Sequence, residues 1–129
     1  MVSTKPRKQR KQLYLRNILK LKKEMHAHMS KALREKYHKR SFGVITNDTV
    51  KIMRGKFSGK EGKIERVNLV KRRIYIEGIQ KQKADGTFAK IGVHPSNVMI
   101  IDLNLKDKQR SEKLTGKAKI AAASKKGEN

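Results

Sequence analysis

"DTVKIMRGKFSGKEGKIERVNLVKRRIYIEG", residues 48–78, is the stretch on which the rest of the chain turns. In "TVKIM", Val50 and Ile52 alternate with Lys51 and Met53, the pattern of a strand with one buried face. "RIYIE" repeats it, with Ile74 and Ile76 inward and Tyr75 outward. Between these strands Gly55, Gly59 and Gly62 stand among Arg54, Lys56, Lys60 and Lys63. A phosphate-cradling nucleotide loop would need G-x-x-x-x-G-K-[ST], yet Lys60 stands five residues after Gly55. The dinucleotide fingerprint G-x-G-x-x-G fails as well, because the intervals here are four and then three residues. What remains is the use of glycine for positive φ and for close backbone approach. A strand ending at Met53, a loop through Gly55 and Gly59 and a bend at Gly62 into "KIERV" account for all three, which makes them structural residues. Ile64 and Val67 lie three apart, which breaks strict alternation and predicts a bulge or sharp bend. Phe57 has two readings, a base-stacking ring or a plug for one end of the strand assembly.

Working outward, Asp85-Gly86 between "IQKQK" and "TFAKI" signals a two-residue hairpin. "VMIID", residues 98–102, is an apolar run of strand length after the turn-like "HPSN". Five short strands in about 60 residues predict a mainly β fold, a small and strongly bent barrel.

Charge sets the class of partner. Lys and Arg outnumber Asp and Glu by 34 to 11 in 129 residues, a net charge of +23, and such self-repulsion calls for a polyanion to neutralise it. Nucleic acid leads. An anionic membrane is second, weakened because no apolar run approaches the roughly 20 residues of a span and no apolar h-region follows the basic N-terminus. Cysteine is absent, which excludes disulfides, thiol catalysis and Cys-based zinc sites and points to an intracellular protein.

The charge is uneven. Residues 1–41 carry 14 Lys and Arg against two acidic residues, residues 42–103 carry 12 against six, and residues 104–129 eight against three. This divides the chain into a basic N-terminal extension (1–41), a barrel (42–103) and a basic C-terminal tail (104–129), helix-compatible at first and disordered over its last dozen residues. In the first zone Tyr14, Ile18, Leu21, Met25, Met29, Leu33 and Tyr37 recur at helical steps, predicting one or two short helices broken near Ser30, an available N-cap. The apolar stripe is expected to pack on the domain and the charged face to meet a partner. Residues 1–12 hold almost nothing apolar, so self-repulsion is expected to keep them extended until RNA binds.

Residues 48–78 resemble a KOW motif, with Gly62 between Glu61 and the nearby Ile64 matching its defining glycine. The flanks "KPRKQRKQLY", "HMSKALREKYHKRS" and "VHPSNVMI" extend the likeness over about residues 4–103. Together they resemble the archaeal and eukaryotic members of the large-subunit ribosomal protein family numbered twenty-four in bacteria and twenty-six in eukaryotes. The resemblance implies an SH3-like barrel with partly helical extensions, bound to large-subunit rRNA and to neighbouring ribosomal proteins near the polypeptide exit tunnel, and acting early in assembly. It implies a cytoplasmic ribosome, with a nucleolar stage if the source is eukaryotic, and neither enzyme activity nor cofactor, membrane or homo-oligomer. The RNA-contacting candidates it transfers are Lys5, Arg7, Lys8, Arg10 and Lys11 in the arm. In the barrel they are Arg54, Lys56, Lys60, Lys63, Lys71, Arg72 and Arg73, with His94 and Ser96 in the "HPSN" turn. One departure is "FGVITND", where the family has a basic pair and Gly before the aspartate; Asn47 can take the left-handed conformation that turn needs.

The alternatives are a KOW-containing transcription elongation factor, for whose larger αβ domain this chain has no room, and a basic chromatin protein, which would not need the glycine pattern. His26-x-His28 lacks the further ligands of a metal site. The sequon Asn47-Asp48-Thr49 has meaning only in a secreted protein. The barrel-zone carboxylates are too scattered to assemble acid, base and nucleophile.

Overall fold

The computed structural model describes residues 3–116. In order they form α1 (Pro6–Tyr14), α2 (Ile18–Glu24), β1 (His26–Met29), α3 (Lys31–Tyr37), β2 (Ser41–Gly43), β3 (Thr49–Ile52), β4 (Glu61–Asn68), β5 (Arg73–Gln82), β6 (Phe88–Val93), a 3-10 turn (Pro95–Asn97) and β7 (Val98–Asp102). A further helix, α4, runs over residues 108–116, where Asp107 accepts the Gln109 N–H on Oδ1 at its start. The tail residues expected to be disordered lie outside the described ones.

The strands form one mixed sheet of order β2-β1-β7-β3-β4-β5-β6, open at β2 and β6. Within it β3 to β7 make the small SH3-like unit. Its curvature comes from three interruptions. A bulge at Glu65 shifts the β4–β5 register between Ile64 and Arg66, where the spacing of Ile64 and Val67 predicted one. A second shift falls between Tyr75 and Gln80, around Gly78 at φ +74, and a third lies in the β3–β7 ladder between Thr49 and Val50. Gly78 also resets the phase of β5, so that Ile79 follows Ile74 and Ile76 into the core at an odd interval. The curl is tight enough for Lys90 on β6 to reach Glu65 on β4 across β5.

The core collects Val50, Ile52, Ile64, Ile74, Ile76, Ile79, Val98 and Ile100, each 2% exposed or less. It also takes Met25, Ala27, Met29 and Tyr37 from before the barrel and Leu114 from after it. Packing therefore crosses the boundaries at which charge density changes.

Residues 25–29 differ from the helical expectation. Met25, Ala27 and Met29 are buried while His26 and His28 are exposed, a period of two, and β1 pairs in parallel with β7 and antiparallel with β2. A spacing of four suits both a helix turn and two strand repeats. The sheet decides, because its β7 edge offers main-chain partners such as the Ile100 carbonyl for the Ser30 N–H. Ser30 then caps α3, its hydroxyl accepting from the Leu33 N–H, and His38 ends the helix in the left-handed region. The stripe splits too: Tyr14 and Ile18 are 88% and 58% exposed, while Leu33 and Tyr37 pack on the core.

The "DG" hairpin is present but wider than two residues. Gln82 pairs with Phe88, and residues 83–87 close with Lys83 N–H on the Thr87 carbonyl while Asp85 accepts from the Thr87 N–H and hydroxyl.

Candidate nucleic-acid interface

The β3–β4 loop is built by its own backbone. Gly59 N–H donates to the Ile52 carbonyl at 2.8 Å, Ser58 N–H to Gly55, Lys60 N–H to Phe57, and the Ser58 hydroxyl to the Met53 carbonyl. Gly55 and Gly59 sit at φ +99 and +86 with open space where a Cβ would be, so conformation alone calls for glycine there. Gly62 is different. Its φ is not positive, and a Cβ would lie 2.8 Å from Ile76 Cγ2 and 2.9 Å from the Glu77 carbonyl oxygen, so this glycine serves the close crossing of β4 over β5.

With the loop's main chain occupied internally, Arg54, Lys56 and Lys60 extend into solvent, and Lys63 follows, exposed, on β4. Phe57 is half-buried against the core, with the Lys60 ammonium 5.6 Å from its ring centre. Among the described residues Arg54, Lys56 and Lys63 have no acidic partner.

A second basic turn lies between β4 and β5. Asn68 Oδ1 accepts the Lys71 N–H, and Arg72, at φ 51, donates its N–H to the Leu69 carbonyl. Lys71 and Arg73 are exposed. Arg72 is partly committed: its Nη1 lies 3.4 Å from Glu24 Oε2, and the same carboxylate pairs with Arg16.

The β5–β6 pairing of Ile74 with Val93 carries His94 to this turn. Its Nδ1 is 2.8 Å from the Ser96 hydroxyl and accepts the Ser96 N–H. Burial, then the charges of Arg73 and Arg72, hold the imidazole below the usual histidine range, so the ring is neutral at neutral pH. The Asn97 carbonyl accepts the Met53 N–H at 2.7 Å, which joins this turn to the β3–β4 loop. The fold thus links the loop of Arg54, Lys56 and Lys60 to the group of Arg72, Arg73, His94 and Ser96 through residues 94–97.

Lys5, Arg7, Lys8, Arg10 and Lys11 stand apart. Pro6 opens α1 behind Lys5, and no residue of α1 is buried. The arm is therefore helical rather than extended. Lys, Arg, Gln and Leu are good helix formers, and proline at the first helical position is preorganised for it.

Sequence reasoning missed one element of this architecture, the buried pair of Asp48 and Arg110. Asp48 is wholly buried and accepts from Arg110 Nη1 and Nη2, at 2.9 and 2.7 Å, and from the Ile45 and Asn104 N–H groups. Arg110 also donates to the Asn104 and Gly43 carbonyls and lies over the Phe42 ring. Asn47, at φ 66, makes the turn that delivers Asp48. The one mark on Arg110 in the sequence is that it is the sole arginine beside the seven lysines of residues 104–129, and nothing local points it at Asp48. Among the described residues no group of three or more His, Cys, Asp or Glu side chains could hold a metal; His26 and His28 are simply exposed strand residues. Nor is any described helix long and apolar enough to cross a membrane.

Residues 3–117 match the family of ribosomal proteins described as L26 in eukaryotes and L24 in archaea. The chain belongs to this family. Similar relatives carry the name "Large ribosomal subunit protein uL24". The protein of Methanospirillum hungatei is 46% identical over 121 residues, 90% of this chain and 97% of that one. Those of Methanosarcina barkeri (45% identical, 88% and 98% covered) and Methanosphaera stadtmanae (40%, 90% and 99%) are alike over nearly their whole lengths. In this large-subunit ribosomal protein the family match takes in the helical and β additions on either side of the SH3-like unit as well as the unit itself.

Proposed function

We propose that this ribosomal protein is a structural rRNA-binding component, attached to large-subunit rRNA through the two linked basic loops and the arms on either side. The observation that carries this reading is the set of cations at Arg54, Lys56, Lys63, Lys71 and Arg73, held on a folded scaffold with no acidic partner among the described residues. Phosphates would supply those partners, and counterion release the affinity. His94 and Ser96 add neutral hydrogen-bonding groups beside Arg73. Lys5 at the start of α1 and Arg7, Lys8, Arg10 and Lys11 on it, within the zone 1–41, and the tail 104–129 extend the contact from the barrel zone 42–103.

The family resemblance further supports action early in subunit assembly, a place near the polypeptide exit tunnel, contacts with neighbouring ribosomal proteins and residence in cytoplasmic ribosomes. Its role is to hold RNA in shape rather than to catalyse. RNA shape and single-stranded elements supply its selectivity.

The test is binding of the full chain to large-subunit and small-subunit rRNA across a salt series. Log affinity for the large-subunit RNA should fall by about 0.7–0.9 per phosphate contact per decade of salt. Equal affinity for both RNAs, or no salt dependence, overturns the reading.

A further inference from the structure

An open groove of about 790 Å³ lies on the side of the molecule where α2, β2, the β4 bulge and α4 meet. Its apolar lining comes from Met25, Phe42, Val44, Ile45, Val67 and Leu69. Lys22, Arg66 and Lys113 stand around it, exposed, and none has an acidic partner among the described residues. Of the two acids of the lining, Glu65 pairs with Lys90, while Asp107 accepts the Gln109 N–H and keeps its charge, so the cations remain in excess. Arg110, 6% exposed, stacks over Phe42 while its buried Nε has no hydrogen-bond partner. Apart from Leu69, which sits in the β4–β5 turn, none of these side chains belongs to the basic loops described above.

We propose that this groove receives one unstacked nucleotide of the bound RNA, its base against Phe42, Val67 and Leu69 and its phosphate among Lys22, Arg66 and Lys113. Three features favour that occupant. The volume falls in the range of pockets that enclose a small ligand and is too small for an RNA helix. An apolar lining with an aromatic ring suits a base that has left its stack, and sequence-reading of RNA works mainly on such bases. Three unpartnered cations against the single unpaired carboxylate of Asp107 leave a positive excess that favours an anion beside the apolar group, and every nucleotide carries both. A peptide would have to bring separate apolar and acidic side chains to the groove, where one nucleotide supplies both groups.

The inference rests on the RNA-binding reading, and the experiment separates the two. The full chain, with labelled methyl and aromatic groups, is titrated by NMR with adenosine 5′-monophosphate, ribose 5-phosphate and inorganic phosphate at low salt. Adenosine monophosphate should shift the Phe42, Val44, Val67 and Leu69 signals, and the two base-free compounds should not. Arg66→Gln, an exposed substitution, should weaken the nucleotide at least threefold without changing the melting temperature. Equal shifts from all three compounds would reduce the groove to a phosphate patch. Larger shifts of the same methyls with a short acidic leucine-rich peptide would make it a protein-docking groove; either outcome, or silence of the groove signals, overturns the proposal. If rRNA affinity is normal while the groove stays silent, only this inference falls. If the full chain shows no selective rRNA binding, the reading beneath it falls as well.

Discussion

Helix α1 and the β3–β4 loop present the same chemistry on opposite terms. Arg7, Lys8, Arg10 and Lys11 ride on a nine-residue helix that buries nothing and has no side-chain cap. Arg54, Lys56 and Lys60 ride on a loop pinned by its own main-chain bonds and tied to the barrel through Met53 and Asn97. A helix of that length is marginal in water, and four cations on it repel one another. Whatever part of the helix frays in water must be fixed again on RNA, at a cost on the order of 1–2 kcal/mol for each residue fixed. The loop has met that cost in folding. Equal charge should therefore yield unequal affinity.

The largest expected effect comes from breaking the buried ion pair at the opposite end of β3 from that loop. Arg110→Ala leaves the Asp48 carboxylate buried with two N–H donors and no counter-charge, and removing one partner of such a pair costs about 3–5 kcal/mol. Urea unfolding of the full chain measures it. The helical signal of an α1 peptide, by contrast, should match that of the arm in the intact protein, because nothing packs on it.

Next come the glycines. Gly62→Ala drives a methyl against a backbone carbonyl 2.9 Å away and should destabilise by about 1–3 kcal/mol. Gly59→Ala, strained by its φ of +86 but meeting no neighbour, should cost about 1 kcal/mol. Thermal melts that rank Gly59→Ala above Gly62→Ala would reverse the assignment of conformation to one and close approach to the other.

Salt slopes sharpen the comparison itself. Arg54→Ala with Lys56→Ala should lower the slope of log affinity against log salt by about one to two units. Removing residues 3–12 should lower the slope by more but weaken binding less for each charge lost. Within the second turn, Arg73→Ala should matter more than Arg72→Ala, because Arg72 already shares Glu24 with Arg16.

The smallest effect is the pH response of His94. Its folded value lies below the unfolded one near 6.5, so unfolded chains bind the extra proton first. Its contribution to stability is complete above that pH and declines as pH falls through the folded value. His94→Gln should flatten this acid slope slightly. A phosphate bound beside it should push the imidazole upward, which NMR titration of His94 with and without rRNA would detect.

Much of the barrel was legible because local pattern and tertiary demand agree there. Val50 and Ile52 alternate into the core, Ile74 and Ile76 do the same, and the bulge shows as a skipped beat between Ile64 and Val67. Legibility failed where one pattern serves two structures. Met25 and Met29 suit either period, and only pairing to β7, some 70 residues away, makes β1 a strand. The phase shift at Gly78 was hidden because a glycine in a strand does not announce its φ. At the interface, charge density pointed to the loops, but which cations already have partners depends on contacts such as Arg72 with Glu24 that span distant segments. Arg110 was invisible for the same reason.

The buried ion pair has a consequence in time. Asp48 lies in the first half of the chain, while Arg110 and the fully buried Leu114 arrive near the end of the described residues. During synthesis the sheet can form around β7 while its aspartate still waits for a counter-charge. A nascent or truncated chain that stops before α4 holds that carboxylate either uncompensated or exposed by local opening. The last helix thus completes the packing around Asp48: a chain ending before Arg110 lacks that carboxylate's counter-charge, and one ending before Leu114 lacks a core side chain.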